Sequence, residues 1–570
     1  MGYFAFFLIL TAACLLWSAA CTAAAARSDR RRALWLFLGL ALPALALLPW
    51  LLASGYLAFD ARMRPNWFGA VLTVVLSALI GGIWISRAGM TAMASSSVAV
   101  ASRWPVIGLF AFAILAKAVS FGTLLILDNA VAAEARAMRV EAAAIMQAAL
   151  PPAVADAENA AILHTQAAAA LAAATDLNAA DGLFNAPAID ASSPAVGALL
   201  ARHASLLDTI RRAADMPACR FARDWTRPSI DMLLAEVQSC RNEGRLLALA
   251  ARHEAAAGKP AEALADAVRI GRIGRQVGSE PILISHLVGI ALDATALSVV
   301  AEILPTLSAA DAPLLDDPAL RDLIASTPSL VRAINGEEAF GLSLFANFAD
   351  GRQGIDRLGR LAGDPNVAIL PQEEPFSLLI DPLSAVWRAF ILPADIAGYR
   401  RRFEAYRQFV TGGVDQSRTW PQTQKQIDGI EAEIRRTGPD GFLSRLIVPA
   451  TDAVLRSQCM AVARHRAAEV LLAATRERLA TGAIPESIDA LVPARLPSVP
   501  RDPFTTDTPL HLKVTPEELL VWSVGPDGKD DGGPRQEGVE SNTDSDDIGL
   551  RMTVPDAADT IPQTSNRTAE

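Results

Sequence analysis

Four long apolar runs open the chain, at about Tyr3–Ala25, Ala33–Phe59, Trp67–Ser86 and Pro105–Leu127. Each is near the roughly 20 residues that a helix needs to cross a bilayer at 1.5 Å per residue. After them the pattern changes. From residue 129 to about 482, apolar positions recur at three and four and are interrupted by Pro, Gly and Asp clusters, which predicts helices rich in Ala and Leu. The clearest unit is Gly244–Gly278, where "GKP" closes one helix and opens the next as an αα-hairpin. Further helices are expected at Glu280–Leu304, Ser329–Ala349, Ala385–Thr411, Gln422–Thr437 and Leu443–Thr481, with a long Gly-, Asp- and Pro-rich loop over Asp350–Leu378. From Arg464 the helix "RHRAAEVLLAATRERLATG" leads into a short helix started by Pro485–Glu486–Ser487, with Ile488 and Leu491 as its apolar residues, and then into three strand-like runs, "LHLKV", "LLVWSVG" and "IGLRMTV".

The predicted fold class is mainly α. A four-helix transmembrane domain spans 1–128, a mainly helical extracytoplasmic domain built on αα-hairpins spans 129–463, and a small α+β module spans 464–554. The tail 555–570, "PDAADTIPQTSNRTAE", has too few apolar residues to fold and is expected to be disordered.

Charge sets the orientation and removes one class of partner. The chain of 570 residues carries a net −10, yet residues 1–127 hold nine Lys or Arg against two acids, +7, leaving −17 for the rest. So acidic a remainder argues against nucleic acid, whose phosphates call for a basic patch. Among the short loops, "RSDRRR" with Arg87 and Arg103 puts six basic residues on one side. Arg62, Arg64, Arg136 and Arg139 put four on the other. The positive-inside rule then places both termini in the periplasm. The first run has no Lys or Arg ahead of it and no lipoprotein cleavage box before Cys21, so it reads as an uncleaved helix. The expected location is a bacterial inner membrane, crossed several times, with the lipid bilayer as the first partner.

Chemistry-bearing residues are sparse. Pro43, Pro49, Gly81 and Gly82 speak for a packed membrane bundle, and Lys117 lies near the middle of its fourth helix with no Asp or Glu inside any run. An intramembrane lysine is either a charge site on a substrate path or a packing and assembly contact. Cys219 and Cys240 either pair as a disulfide in an oxidising compartment or stand as free thiols. No CxxC occurs, and the six histidines never approach zinc-ligand spacing, so each reads as a surface or locally satisfied residue. Glu337 and Glu338 are adjacent and do not share a helix face. Nucleophile-elbow, P-loop and dinucleotide patterns are absent, which leaves no residue to carry catalysis.

The acidic stretch "SVGPDGKDDGG" and the later "DSDDIGLR" bring together Asp527, Asp530, Asp531, Asp544, Asp546 and Asp547. Carboxylates in flexible loops suit Ca2+, which takes six to eight oxygens. The pattern is not an EF-hand, since Lys529 falls at the third ligand position, and a solvated glycine-rich turn is the alternative. The order helix, "GAIPES", "LPSVPRDPF", strand, "SVGPDGKDDGG", "DSDDIGLR" resembles the major pseudopilins of type II secretion and the pseudopilin-like ends of bacterial envelope proteins. The resemblance covers 464–554 only. It implies a Ca2+ held by Asp527, Asp546 and Asp547, with Ser523 contributing its backbone. The functional expectation is a noncatalytic, membrane-anchored envelope protein that binds or scaffolds other envelope or secretion proteins. Its rivals are a small-solute transporter or channel using Lys117 and a periplasmic enzyme without a recognisable motif.

Overall fold

The computed structural model describes residues 129–178, 190–225, 235–349, 392–411, 419–436, 450–534 and 546–554, with scattered positions at 13–39 and 126. The four expected membrane runs fall outside them apart from those scattered helical positions. So do Lys117, the loop over Asp350–Leu378 and the tail 555–570. The described chain is mainly helical, with one small sheet. It divides into two compact units: Met1–Arg139 with Leu344–Ile396, and Val140–Ser343 with Ala397–Glu570. In the first unit, Ala135 and Met138 are buried, as are Phe345, Ala346 and Phe348, and Arg139 donates to the Ala346 carbonyl at 3.2 Å.

The second unit contains α1 (Ala160–Ala173), α2 (Pro194–Arg202) and α3 (Ala204–Asp215). Asn159 caps α1, accepting from Ala161 N at 3.2 Å. Three long helices follow: α4 (Ala235–Ala256), α5 (Pro260–Gly278) and α6 (Leu283–Ile303). Pro260 sits at the first turn of α5, where its missing N–H is no loss and its fixed φ favours the helix. Further helices are α7 (Pro318–Ala325), α8 (Val331–Ala349), α9 (Leu392–Thr411), α10 (Trp420–Arg436) and α11 (Ala450–Thr481). Asp317 caps α7 by accepting from Ala319 N at 2.7 Å.

Among the described residues one helical stretch, Leu283–Thr306, is long and apolar enough to cross a membrane, and two-thirds of its most apolar window is buried inside the protein. It packs against α4, α5 and α11 and against the sheet. The α5–α6 contact is made backbone to backbone. A Cβ on Gly289 would lie 2.7 Å from the Gly274 carbonyl oxygen, and a Cβ on Gly274 would lie 2.9 Å from that of Gly289. Real Cβ atoms do not sit that close to backbone, so the two glycines set how near the helices can come.

The sheet is an antiparallel meander of β1 (His511–Val514), β2 (Glu518–Ser523) and β3 (Ile548–Thr553), with β2 in the centre. His511 pairs with Trp522, and Trp522 in turn with Gly549. Leu519 to Ser523 are all buried, as expected of a central strand covered on both faces. Leu550 and Met552 belong to the same apolar cluster as Leu297 and Val300 of α6 and Val470 and Leu471 of α11. The division expected at 463/464 therefore falls inside α11, and the sheet shares its core with the helices before it. Ile488 and Leu491 point inward at 5% and 0% exposure, around a single turn of 3-10 helix at Asp489–Leu491.

An exposed helical glycine replaced by alanine ordinarily gains about 0.5–1 kcal/mol. At Gly289 the sign reverses, because overpacking costs about 1–3 kcal/mol. Gly289→Ala is expected to lower the melting temperature of the full-length protein by several degrees. Gly429→Ala on α10, where nothing lies within 4 Å of the new Cβ, leaves it unchanged or raises it.

Candidate functional site

The acidic loop begins where β2 ends. Gly525 takes a φ of +68°, and a Cβ there would meet the Asp546 carbonyl oxygen, so only glycine lets the turn lie against the start of β3. Side-chain carboxylates then stitch the two segments together. Asp547 Oδ2 accepts from Asp531 N at 3.0 Å and Gly533 N at 2.8 Å, while Asp531 Oδ2 accepts from Asp546 N at 3.1 Å. Asp530 Oδ1 accepts from Trp522 Nε1 and from Gly532 N, each at 3.0 Å. Asp547 is 3% exposed. Burial, together with repulsion from Asp530 and Asp531, pushes its carboxyl above the ordinary range against two backbone N–H donors.

Of the residues expected to hold Ca2+, Asp546 and Asp547 are therefore brought together, joined by Asp530 and Asp531. Asp527 stands apart from these contacts. It caps its own turn by accepting from Lys529 N at 3.0 Å, with Lys529 Nζ 3.4 Å from its other oxygen. Ser523, expected to contribute its backbone, uses its side chain in a separate contact, its Oγ donating to Asp502 Oδ1 at 2.6 Å. Asp502, 1% exposed, was not legible as a site residue. Its other oxygen accepts from Val524 N at 2.9 Å, and Oδ1 also accepts from Phe504 N at 2.8 Å. The only signal was its place in "PRDPF", where an acid precedes a proline on the approach to the sheet.

A second polar cluster lies among the helices. The buried face of α1 is Ala160, Ala161, His164, Ala167 and Leu171, so helical spacing carries His164 inward. His164 Nδ1 meets Glu243 Oε2 at 2.6 Å, and Nε2 meets Gln276 Oε1 at 2.9 Å. Gln276 Nε2 donates to the carbonyls of Ala213 and Met216 at 2.9 and 3.1 Å. That fixes the amide, so its Oε1 accepts and His164 Nε2 carries a proton. Burial pushes the imidazole pKa down, but the charge and hydrogen bond of Glu243, with the bond to Gln276, outweigh it and leave the pKa raised.

Cys219 and Cys240 lie beside this pair as free, buried thiols, so the disulfide considered from sequence is not formed here. Burial, followed by the Glu280 and Glu243 charges, pushes Cys219 up to about 12. Burial likewise drives Cys240 well above its usual value. Cys219 is placed by Asn159, which accepts from Arg220 N and donates to its carbonyl, each at 2.9 Å. Nearby, Arg223 Nε pairs with Glu280 at 2.8 Å and Nη2 with Glu236 at 3.1 Å, while Ser285 Oγ donates to Glu280 at 3.1 Å.

Two more histidines join distant elements. His465 Nδ1 donates to the Ile324 carbonyl at 2.9 Å and Nε2 meets Asp293 Oδ2 at 2.5 Å, tying α11 to α6. His286 Nε2 meets Gln458 Oε1 at 3.0 Å. His164, His286 and His465 are thus buried bridges rather than surface or locally satisfied residues, because each finds its partner on another helix, where spacing along the chain gives no sign. No family model, curated protein or solved structure matches this chain.

Replacing Asp502 by Ala strands the Ser523 hydroxyl and the Val524 and Phe504 amides in a buried place. At about 1–3 kcal/mol for each unsatisfied group, Asp502→Ala is expected to lower the melting temperature by several degrees. A melting temperature within a degree of the parent's contradicts this.

Proposed function

We propose that the chain is a noncatalytic, membrane-anchored binding or scaffold protein of the bacterial envelope, with a Ca2+ bracing its C-terminal acidic loop. On this reading the apolar runs before residue 128 sit in the inner membrane, and the acidic remainder lies on its outer side beside other envelope or secretion proteins. The single observation that carries the loop reading is Asp547: a buried carboxylate crowded by Asp530 and Asp531. A divalent cation relieves such crowding, and an all-oxygen, loop-borne donor set favours Ca2+ over softer metals. The pseudopilin-like motif order supports the same reading, since there too a long helix precedes a small meander closed by an acidic loop.

Support for a noncatalytic role comes from how the buried ionisable groups are used. His164 answers to Glu243, His465 to Asp293 and Arg223 to Glu280. These pairs join helices or the segments between them, which is the work of a framework.

Trypsin added to intact spheroplasts tests both halves of the proposal. Cleavage at Lys529 or Arg535 is expected from outside, fast in EDTA. In Ca2+ at about 100 times its Kd it is expected to slow on the order of 100-fold. Asp547→Asn removes the Ca2+ effect. Protection until the cells are lysed contradicts the outer-side placement, and cleavage indifferent to Ca2+ contradicts the brace.

A further inference from the structure

The cluster between α1 and α4 has the composition of a transition-metal site, independent of the acidic loop. His164 projects from α1, while Cys240 and Glu243 stand three apart on α4, a spacing that puts both on one helix face. One ligand atom from each lies within 4.8 Å of the other two, and all three residues are buried. Tetrahedral bonds of about 2.0–2.3 Å set ligand atoms about 3.3–3.6 Å apart. The side chains therefore need to move by only about 1 Å to reach that geometry.

Two independent features aim at a ligand. Glu243 is 0% exposed, and its Oε1 has no hydrogen-bond partner among the described residues. A carboxylate oxygen left bare in the interior is costly, and a bound cation is what satisfies it. The His164 ring is also held from behind. Its Nε2–H is fixed on Gln276, itself anchored on two backbone carbonyls, as ligating histidines are usually oriented by a carbonyl or carboxylate on the far nitrogen. Nδ1 is thereby turned toward Glu243, leaving it as the ring nitrogen open to a metal.

We propose that His164 Nδ1, Cys240 Sγ and the Glu243 carboxylate bind a single Zn2+-class metal ion that locks α1 onto α4. The thiolate selects against Ca2+ and Mg2+. The exchange is electroneutral. Without metal, imidazolium, carboxylate and thiol sum to zero. Binding expels the Nδ1 proton and the thiol proton to solvent, and a dication on a thiolate, a carboxylate and a neutral imidazole again sums to zero. The His164–Glu243 contact opens from 2.6 Å to about 3.3 Å as the metal replaces the proton between them. Cys219, a second buried thiol whose charge would act on Cys240, stands beside the set.

The test uses the full-length protein in detergent, stripped with a chelator and titrated with Co2+ alone. One Co2+ per chain is expected, with visible d–d bands and a near-ultraviolet thiolate-to-cobalt band, both displaced by one equivalent of Zn2+. Cys240→Ala loses the thiolate band, and Asp547→Asn keeps it, which separates this site from the loop. Absence of a thiolate band at one equivalent in the parent protein overturns the proposal whether or not any variant folds. A band that survives Cys240→Ala also overturns it.

Discussion

The approach of α5 and α6 at Gly274 and Gly289 is the constraint on which the rest of the second unit depends. With a carbonyl oxygen standing where a Cβ would go on each side, the two helices meet along their backbones, and α6 is left with its other faces to cover. α4 takes one of them, with Gly244 set against Leu292. α11 and β3 take others. A helix whose length and apolarity would suit a bilayer is in this way enclosed by protein.

Enclosure makes the polar residues of α6 expensive unless they are paired. Asp293 and His286 find His465 and Gln458, both on α11, so the long C-terminal helix is held in one rotational setting on α6. That setting decides which face of α11 receives the sheet, and it brings Leu550 and Met552 onto the core of Leu297 and Val300. Glu243 lies next to Gly244, so the α4 helix that closes on α6 also presents Glu243 and Cys240 to His164. The buried cluster is thus a consequence of the same packing.

Much of this was legible in the sequence. Three- and four-residue periodicity located α4 to α6, α8 and α11, and the strand-like runs "LHLKV", "LLVWSVG" and "IGLRMTV" located the meander. "GKP" marked the turn between α4 and α5. Pairings across distance were not legible. His164 lies 79 residues from Glu243 and His465 lies 172 from Asp293, and neither spacing resembles a motif. Nothing local in the sequence named Gly274 and Gly289 as the point where α5 and α6 meet. The boundary at 463/464 followed the extent of the pseudopilin resemblance, inside a helix already expected over Leu443–Thr481; α11 runs through it, with packing partners, α6 and the sheet, on both sides of the division. In the acidic loop, counting carboxylates found six aspartates, and the pseudopilin resemblance singled out Asp527, Asp546 and Asp547. It could not distinguish Asp527, which serves its own turn, from Asp530 and Asp531, which reach across, nor could it single out Asp502.

Packed in this way, α6, α11 and the C-terminal sheet form one cooperative core. Amide hydrogen exchange on the full-length protein, compared with Val300→Ala, tests it most directly. Protection is expected to fall by the same factor at Leu297 on α6, Leu471 on α11, Val521 on β2 and Leu550 on β3. Sheet amides that keep their parent exchange rates while α6 loses protection would contradict it.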